Sequence, residues 1–460
     1  MIMPTVMKFG GTSVADAAAF ENVAQIVGAR IALAPVVVVS AMSGVTDALL
    51  NSTVIANEGR VADATAFLAT TFLRHKQTAS ELLSNPAAAD YVKDVDEVEK
   101  EVADYLRLIA AHPEQYRALQ DAVLAFGETL SSLLLAALLS ERGFIARQID
   151  ARKCVITDDE HGRAAPLLTE TFGATQAMLF PFLEMGAVPV MGGFIGANKN
   201  GKTTTLGRGG SDYTAAIIGA ALNAREIQIW TDVTGVLTAD PRVVPSAQTV
   251  ERLSYGEAAE LAYFGAKVLH PKTIQPAIED GIPVRICNSR EPEAVGTLVC
   301  AQTETTPRTV KAIAHKKGVT TVQITSARML GAYGFLRALF EVFEKHRTVV
   351  DVVTTSEVSV SLSLDDATSL TLIVEELESL GTVRVEKGLA IICVVGEGLR
   401  GTPGIAARVF STISDINVTL ISQGSSSINF TFAIEEERVN EAVKRLHEAF
   451  FEEKVSTATT

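Results

Sequence analysis

The first 300 residues alternate short apolar runs with segments of helical period. Three of the runs, at residues 36–40, 188–194 and 227–231, end in small or polar residues. This pattern is typical of buried parallel strands, whose two faces are both covered. Between about residues 57 and 142 the apolar positions recur every 3.6 residues or so. The pattern predicts an α/β domain with a mainly parallel sheet and a helical excursion.

A second region follows the polar stretch 301–310, which Pro307 interrupts and which we interpret as a linker. Within it, residues 334–340 and 350–356 are echoed by residues 404–410 and 418–424. The period of roughly 70 residues indicates two copies of one small domain. The first copy is predicted to be a complete ferredoxin-like βαββαβ unit: strand 318–326, helix 334–347, strands 349–357 and 358–365, helix 367–380 and strand 382–388.

The second copy lacks its last strand in this prediction. The upstream segment 309–315 has the composition of a strand and no other role. Because an open sheet edge promotes aggregation, we expect 309–315 to supply the missing strand and the first copy to be inserted into the second. The elements predicted for the second copy are strand 389–396, helix 403–414, strands 417–423 and 427–434, and helix 437–452. The expected domains are 1–300, 316–388, and 301–315 plus 389–460.

Charge and hydropathy restrict the function classes. The chain has 460 residues, with 40 basic and 54 acidic side chains and a net charge of −14, which argues against nucleic-acid binding. Its longest uninterrupted apolar run is the seven residues 133–139, whereas a membrane span needs roughly 20. We expect no membrane association, no signal peptide at the N-terminus, and four reduced cysteines in a cytoplasmic protein.

Candidate chemistry begins at the first predicted strand. Lys8 is followed by Gly10, Gly11, Thr12 and Ser13 at a strand-to-helix turn. Backbone amides in such a turn bind phosphate, and a lysine adds a point charge. The alternative is that glycine merely makes the turn tight.

Residues 196–203 match the P-loop pattern letter for letter, but we reject that interpretation. A P-loop lysine opens a helix, whereas Lys202 is followed by β-branched residues and then by glycines. Asn200-Gly201 predicts a type I′ hairpin turn instead.

The next motif is Gly207-Arg-Gly-Gly-Ser-Asp212. Its three glycines allow a ligand to approach the backbone, Arg208 offers a fork for a carboxylate or phosphate, and Asp212 can orient an amine. A helix is predicted from 213 to 223 with Ser211 or Asp212 as its cap, and a capped helix alone is the alternative interpretation.

Further polar residues follow other predicted strands. Ser40 and Thr46 flank the turn that follows the run 36–40. Glu128 precedes a predicted apolar helix, and the alternative interpretation is that it only caps or begins that helix. The stretch from Thr231-Asp232 to Arg242 is a candidate for ribose or magnesium binding.

The last motif, residues 264–271, adds the candidate Lys267, and its His270 precedes Pro271 and is more typical of a structural turn. No Ser/His/Asp or Cys/His set and no metal-spaced histidines occur in the sequence. Glycine turns, lysines and hydroxyls at strand ends favour phosphoryl transfer, in which positioning and charge neutralisation provide most of the catalysis.

Taken together, these motifs resemble the aspartate kinase family in order and spacing. The resemblance implies a three-layer αβα amino acid kinase domain followed by two ferredoxin-like ACT domains. It also implies phosphorylation of the β-carboxylate of L-aspartate by ATP with Mg²⁺, the first step towards lysine, threonine and methionine. The motifs are Lys8-Phe-Gly-Gly-Thr-Ser-Val14, Phe126-Gly-Glu128, Gly207–Asp212, Thr231-Asp232 with Asp240-Pro-Arg242, and 264–272.

The resemblance also implies residue roles. Lys8 would stabilise the transferring phosphoryl group, and Asp212 would orient the lysine or the substrate. Glu128 would bind the substrate ammonium and Arg208 its α-carboxylate. The pocket would be lined by Ser40 and Thr46, and ATP would be held by Gly10, Gly11, Thr12, Ser13, Thr231, Asp232, Arg242 and Lys267. In the Thr-Asp-Val loop, Thr234 and Leu237 replace the proline and tyrosine of many members.

For the ACT region the resemblance implies feedback control, with L-lysine as the expected effector, and a homodimer through the ACT domains, or a tetramer. Asp351 would meet the effector's cation; Thr419 stands at the equivalent position of the second copy. Residues 331–333 depart from the polar residues usual in lysine-sensitive members. The alternative is that the ACT domains serve dimerisation only. The expected effector residues are Met329, Gly334, Phe335, Leu336, Val350, Asp351, Ser356 and Glu357.

Two rival functions are a kinase for another amino acid, such as glutamate, and a catalytically silent amino acid sensor. Glu128 and the ACT pair disfavour the first, and intact Lys8, Arg208 and Asp212 disfavour the second. Since no dinucleotide fold follows the ACT region, we expect a monofunctional kinase.

Overall fold

The computed structural model describes residues 2–265, 269, 271–301, 309–331, 333–424 and 426–452. These residues form two compact units. Unit 1 comprises the described residues within Met1–Val236, Glu251–Tyr255 and Val268–Gln302. Unit 2 comprises those within Leu237–Val250, Gly256–Lys267 and Thr303–Thr460.

Unit 1 is built on an eight-stranded sheet in the order β3-β5-β2-β1-β8-β10-β11-β9. All its neighbouring strands are parallel except β10 and β11. A smaller sheet has the order β4-β6-β7. The strands are β1 (Thr5–Phe9), β2 (Pro35–Val39), β3 (Ala146–Ile149), β4 (Ile156–Thr157), β5 (Val188–Gly192), β6 (Ile195–Asn198), β7 (Thr203–Thr205), β8 (Glu226–Thr231), β9 (Arg252–Ser254), β10 (Val284–Asn288) and β11 (Thr297–Cys300).

Helices cover both faces of the large sheet. Because side chains alternate along a strand, Met7 and Phe9 of β1 pack into the core formed with α1 to α5. Val6 and Lys8 point to the opposite face, where α7 contacts β1 and β2. The predicted three-layer α/β arrangement is therefore confirmed. The helices are α1 (Ala17–Ala29), α2 (Val45–Asn57), α3 (Val61–Leu82), α4 (Asn85–Ala111), α5 (Tyr116–Glu141), α6 (Leu168–Glu184), α7 (Gly210–Ala221), α8 (Tyr255–Tyr263), which apart from its first residue belongs to unit 2, and α9 (Gln275–Glu279).

The predicted helical excursion is confirmed as α3, α4 and α5. The helical stretch Pro113–Glu141, which contains α5, has the length and mean hydropathy, 1.9, of a membrane span, but 72% of its most apolar window is buried within the protein. A core helix passes the same test.

Three local predictions for unit 1 were wrong. The turn of the β6–β7 hairpin is not type I′, because Asn200 lacks the positive φ which that turn needs. The amide of Gly201 (φ +77°) donates to the carbonyl of Asn198 instead, as in a type I turn followed by a left-handed glycine. Helix α7 is capped by Gly209 (φ +74°), not by Ser211 or Asp212. Glu128 does not precede a helix, because α5 already begins at Tyr116.

Unit 2 contains one six-stranded antiparallel sheet in the order β13-β14-β12-β15-β17-β16. Two hydrophobic cores lie within it, one around Leu362 and one around Phe432. The strands are β12 (Ala312–Thr325), β13 (Val353–Thr355), β14 (Ser359–Leu364), β15 (Thr382–Val395), β16 (Val418–Ser422) and β17 (Asn429–Glu435), and the helices are α10 (Phe335–Lys345), α11 (Leu370–Leu377), α12 (Ile405–Thr412) and α13 (Val439–His447).

Strands β12 and β15 are long and run through both halves of this sheet. Residues 312–316 pair with 391–395, and residues 319–325 pair with 382–389. The sequence predicted separate strands at 309–315 and 318–326, and at 382–388 and 389–396. The register shifts between Lys316 and Val319, at Gly318 (φ +76°), and again between Val319 and Thr321, across from Gly388 (φ +73°). A bulge bends a strand without ending it, so each predicted pair is one strand.

Candidate active site

The side chain of Lys8 lies at the centre of unit 1, near the carboxyl end of β1. It is only 9% exposed, and its Nζ is 2.7 Å from Oδ1 of Asp212 in the first turn of α7. Lys8 is buried and Asp212 is half-buried, and the ion pair fixes the direction of the lysine, since a charge removed from water must keep its partner.

The turn after β1 contains the candidate phosphate-binding residues. Its amides are not equivalent, because the Gly10 amide donates to the Trp230 carbonyl at 3.1 Å. The amides of Gly11 and Thr12 begin a short 3₁₀ turn and so have no partner within it. A Cβ at Gly11 would lie 3.0 Å from the Ala41 carbonyl oxygen. Thr12 is exposed, whereas Ser13 is buried.

Ser289, at the end of β10, is a residue that the sequence analysis missed. Its hydroxyl lies 2.9 Å from the hydroxyl of Ser13 and also donates to the Thr231 carbonyl at 3.0 Å. It therefore joins the turns after β1 and β8. The available signal was its position at the end of an apolar strand. The contact gives Ser13 a structural role in the turn.

Glu128 is buried in the middle of α5 and is 4% exposed. Its Oε2 has no hydrogen-bond partner among the described groups. Burial raises the pKa of this carboxyl to about 8, although a hydrogen bond from the Ala41 backbone acts in the opposite direction. A Cβ at Gly192 would lie 2.9 Å from the Glu128 Cβ, so glycine is needed beside it. A buried acid with one unpartnered oxygen is suited to a cationic ligand group.

Arg208 is exposed between two glycines in left-handed conformation, Gly207 (φ +75°) and Gly209 (φ +74°). Ser40 and Thr46 are half-buried on either side of the turn from β2 into α2. The turns themselves require neither the guanidinium of Arg208 nor the hydroxyls of Ser40 and Thr46.

The candidate nucleotide-binding residues are distributed over both units. Thr231 ends β8, and its hydroxyl donates to the exposed Asp232 at 3.2 Å. Arg242 belongs to unit 2, where it is exposed and pairs with Asp240 at 2.7 Å. Lys267 and His270 lie outside the described residues. Unit 1 thus gathers Lys8, the glycine turn, Ser40 and Thr231 at the carboxyl ends of β1, β2 and β8, the edge at which open α/β sheets bind ligands.

Asp351 is the centre of the candidate effector residues in unit 2. Its Oδ2 is buried without a hydrogen-bond partner among the described groups, and the Tyr263 hydroxyl donates to its Oδ1. The Lys316 Nζ lies 4.0 Å away and pairs with Asp365. Burial, aided by the neighbouring carboxyl of Asp365, raises the pKa of Asp351 to about 8.

The other candidate effector residues surround two element ends. Gly334 (φ +85°) caps α10, and Phe335 and Leu336 form its first turn. Met329 ends a short turn before them, Val350 precedes β13, and Ser356 and Glu357 follow β13. The structure describes Gly331 and Tyr333, whereas Ala332 lies outside the described residues.

Comparison with known proteins identifies the family. Residues 3–288 match the amino acid kinase family, and residues 392–450 match an ACT domain. The chain is 39% identical over 458 residues to the lysine-sensitive aspartokinase 3 of Escherichia coli, covering 97% of this chain and 99% of that protein. The chain belongs to the aspartokinase family. The resemblance predicted from its motifs is confirmed, as is its character as an enzyme, an aspartate kinase.

Solved structures of aspartokinases have the same fold. E. coli aspartokinase III in complex with aspartate and ADP (R-state) has a TM-score of 0.79 and 36% identity, over 97% of this chain and 100% of that one. The same enzyme with lysine and aspartate (T-state) has a TM-score of 0.81 and 36% identity, over 97% and 99%. The predicted fold class, an amino acid kinase domain with ACT domains, is confirmed.

Proposed function

We propose that this aspartokinase transfers the γ-phosphoryl group of ATP to the β-carboxylate of L-aspartate, giving 4-phospho-L-aspartate. The observation that carries the proposal is the ion pair between the buried Lys8 and Asp212 beside the glycine turn of unit 1. A carboxylate nucleophile is already ionised at neutral pH, so the reaction needs no general base. The product enters the biosynthesis of lysine, threonine and methionine.

Aspartate is bound in this proposal by groups of opposite charge. Glu128 binds the ammonium, because its buried Oε2 has no hydrogen-bond partner among the described groups. Arg208 binds the α-carboxylate with its planar fork, and Ser40 and Thr46 line the pocket. Lys8 then stabilises the charge of the transferring phosphoryl group, while Asp212 holds the lysine in place.

ATP is bound by the strand-end turns. The amides of Gly11 and Thr12 bind phosphate oxygens, and Ser13 supports the turn from beneath. Thr231 and Asp232 contribute at the end of β8. For Arg242 and Lys267, the family resemblance alone supports a role in nucleotide binding.

The residues present also fit magnesium. Among the described residues, no three His, Cys, Asp or Glu side chains lie close enough to form a metal cage. Mg²⁺ needs none, because substrate phosphates and one or two carboxylates suffice. Asp212 and Asp232 are the carboxylates that this edge of the sheet offers. When bound, the ion neutralises phosphate charge.

L-lysine is the proposed feedback inhibitor. Its side-chain ammonium meets Asp351, whose buried Oδ2 lacks a hydrogen-bond partner. Its α-carboxylate and α-ammonium are bound by backbone groups near the start of α10 and around β13. The second copy has Thr419 instead of an acid and binds no lysine.

We also propose the domain organisation expected from the sequence: a kinase domain at 1–300, ACT domain 1 at 316–388, and ACT domain 2 from 301–315 plus 389–460. The pairing of residues 312–316 with 391–395 supports the insertion of one ACT domain into the other. The exposed apolar residues Leu330, Tyr333 and Val349 support a homodimer formed through the ACT domains, with a tetramer as the alternative. We propose a cytoplasmic location.

The function is tested by trapping the acyl phosphate as a hydroxamate with ATP, Mg²⁺ and either L-aspartate or L-glutamate. We expect hydroxamate with aspartate and little with glutamate. No product with aspartate at saturating ATP would overturn the proposal, and equal rates with both acids would overturn the assignment of the substrate.

A further inference from the structure

Helix α5 contains a second buried carboxylate, Asp121, which belongs to none of the motifs shared with the aspartate kinase family. It is 1% exposed and accepts three hydrogen bonds from two segments of unit 1, the loop at 158–164 and β7. The Thr205 hydroxyl donates to its Oδ1 at 2.5 Å. The Gly162 amide at 3.0 Å and the His161 Nδ1 at 2.7 Å donate to its Oδ2. Three donors on one buried carboxylate hold the connected segments at fixed distances.

Asp121 and Glu128 lie on the same helix, seven residues apart. Seven residues are close to two helical turns, so both side chains lie on one face, about 10 Å apart along the axis. Helix α5 therefore carries the proposed ammonium-binding residue and this second acid as one rigid body.

The segments bound to Asp121 lead directly to Arg208. Thr205 is the last residue of β7, and only Leu206 and Gly207 separate it from Arg208. The Thr205 carbonyl accepts from the Ala164 amide at 2.9 Å. A Cβ at Gly207 would lie 3.1 Å from the Gly162 carbonyl oxygen. The loop at 158–164 thus packs against the start of the arginine loop, and Asp121 binds both.

We propose that Asp121 is a positioning residue that sets the distance between Glu128 and Arg208, and so the selectivity for an α-amino acid substrate. The inference rests on the proposed function of these two residues. The ammonium and α-carboxylate of aspartate are bonded to the same carbon, so their binding groups must keep a fixed spacing. A displaced Arg208 misdirects the β-carboxylate, and misplacement by about 1 Å costs up to 100-fold in rate.

The neighbouring threonines of β7 provide a matched test. Thr205 and Thr204 are both buried, but the Thr204 hydroxyl lies 2.7 Å from the hydroxyl of Thr157 and makes no hydrogen bond to Asp121. We expect Thr205→Val and Asp121→Asn to raise the KM for aspartate about tenfold and to lower kcat, with the KM for ATP unchanged. Thr204→Val should leave all three constants unchanged.

The double variant Asp121→Asn/Thr205→Val should be little worse than either single variant, because both remove the same contact. The proposal is overturned if Thr205→Val and Thr204→Val give equal aspartate KM values while both lose thermal stability, since Asp121 would then serve folding alone. It is also overturned if the KM for ATP rises as much as that for aspartate. Should Asp121→Asn fail to fold, Thr205→Val decides the question by itself.

The hydroxamate assay on the wild-type protein distinguishes a failure of this inference from a failure of the proposed function. Wild-type protein that forms no aspartyl hydroxamate refutes the function and the inference together. Active wild-type protein with unaffected Thr205→Val refutes only the role of Asp121.

Discussion

Glu128 and Asp351 are two acids, one in each unit, and each has a buried carboxyl oxygen without a hydrogen-bond partner among the described groups. The pKa of each is raised to about 8, and burial is the main cause in both. A group of this kind is protonated at neutral pH and ionises when an ammonium binds. Ligand binding to either residue is therefore linked to the release of a proton.

We predict that aspartate binds more tightly as the pH rises. Because the raised pKa of Glu128 keeps its carboxyl neutral below about pH 8, ionising it for the substrate ammonium costs free energy at lower pH. The KM for aspartate should fall by up to about tenfold per pH unit between about pH 6.5 and 8. Steady-state kinetics at several pH values measures this effect.

The variant Glu128→Gln provides the control, since its amide does not titrate in this range. Its KM should be high and independent of pH. A wild-type KM that does not change over this range would contradict the role of Glu128.

The residue types of the site could be predicted from the sequence, because lysine, glycine and acid residues stand at recognisable strand ends. The burial of these side chains could not be predicted, because it depends on segments that are far away in the sequence. Glu128 was recognised as a candidate, but its missing partner emerged only from the packed structure. Asp121 and Ser289 gave no motif at all, since their partners are up to 276 residues away.

Among the elements, the long strands β12 and β15 depend on residues that tolerate an unusual backbone. Gly318 has a φ of +76° at the register shift, and its amide donates to Glu436 Oε2 at 2.8 Å. A side chain at positive φ is strained, so glycine is favoured there.

We predict that Gly318→Ala destabilises unit 2 by about 1 kcal/mol. The matched control is Gly401→Ala, because Gly401 lacks a positive φ and a Cβ there would meet no atom within 4 Å. It should be neutral or slightly stabilising, since alanine restricts the unfolded chain. Denaturant unfolding of the two variants gives the comparison; an equal loss in both would contradict strain as the cause.

Element types were predictable because apolar periods report which face is buried. This signal predicted the parallel strands β2, β5 and β8 and the helical region that contains α3, α4 and α5. Turn geometry and strand continuity did not follow, because they depend on single φ angles. The misassigned turn at Asn200-Gly201 and the divided strands at Gly318 and Gly388 are errors of this kind.

At the level of the whole molecule, the proposed regulation requires that an effector bound in unit 2 lowers the rate of catalysis in unit 1. The proposed contact between the Asp351 carboxylate and the effector's ammonium can be tested directly by substitution of Asp351. Its neighbour Asp365 pairs with Lys316, so Asp365 would be a poor control. Asp366 is exposed and bonds to Thr368.

We predict that Asp351→Ala raises the lysine concentration needed for half-inhibition at least about tenfold, as expected for loss of a buried charge contact. The control Asp366→Ala should behave as wild type. Activity at graded lysine concentrations is the measurement. Superimposable curves for Asp351→Ala and wild type would remove Asp351 from the effector site.

The composition of unit 2 has a consequence for how the protein is made. Unit 2 includes Leu237–Val250 and Gly256–Lys267 as well as the end of the chain. The Thr238 hydroxyl lies 2.9 Å from Nε2 of His447, a residue 209 positions later. At a synthesis rate of about 5–20 residues per second, the earlier segment waits at least about 10 s for its partner to emerge from the ribosome. A fragment ending at residue 300 should therefore expose the apolar side chains of Ala239, Val243 and Val244, which the full chain buries in a core with residues 310–451.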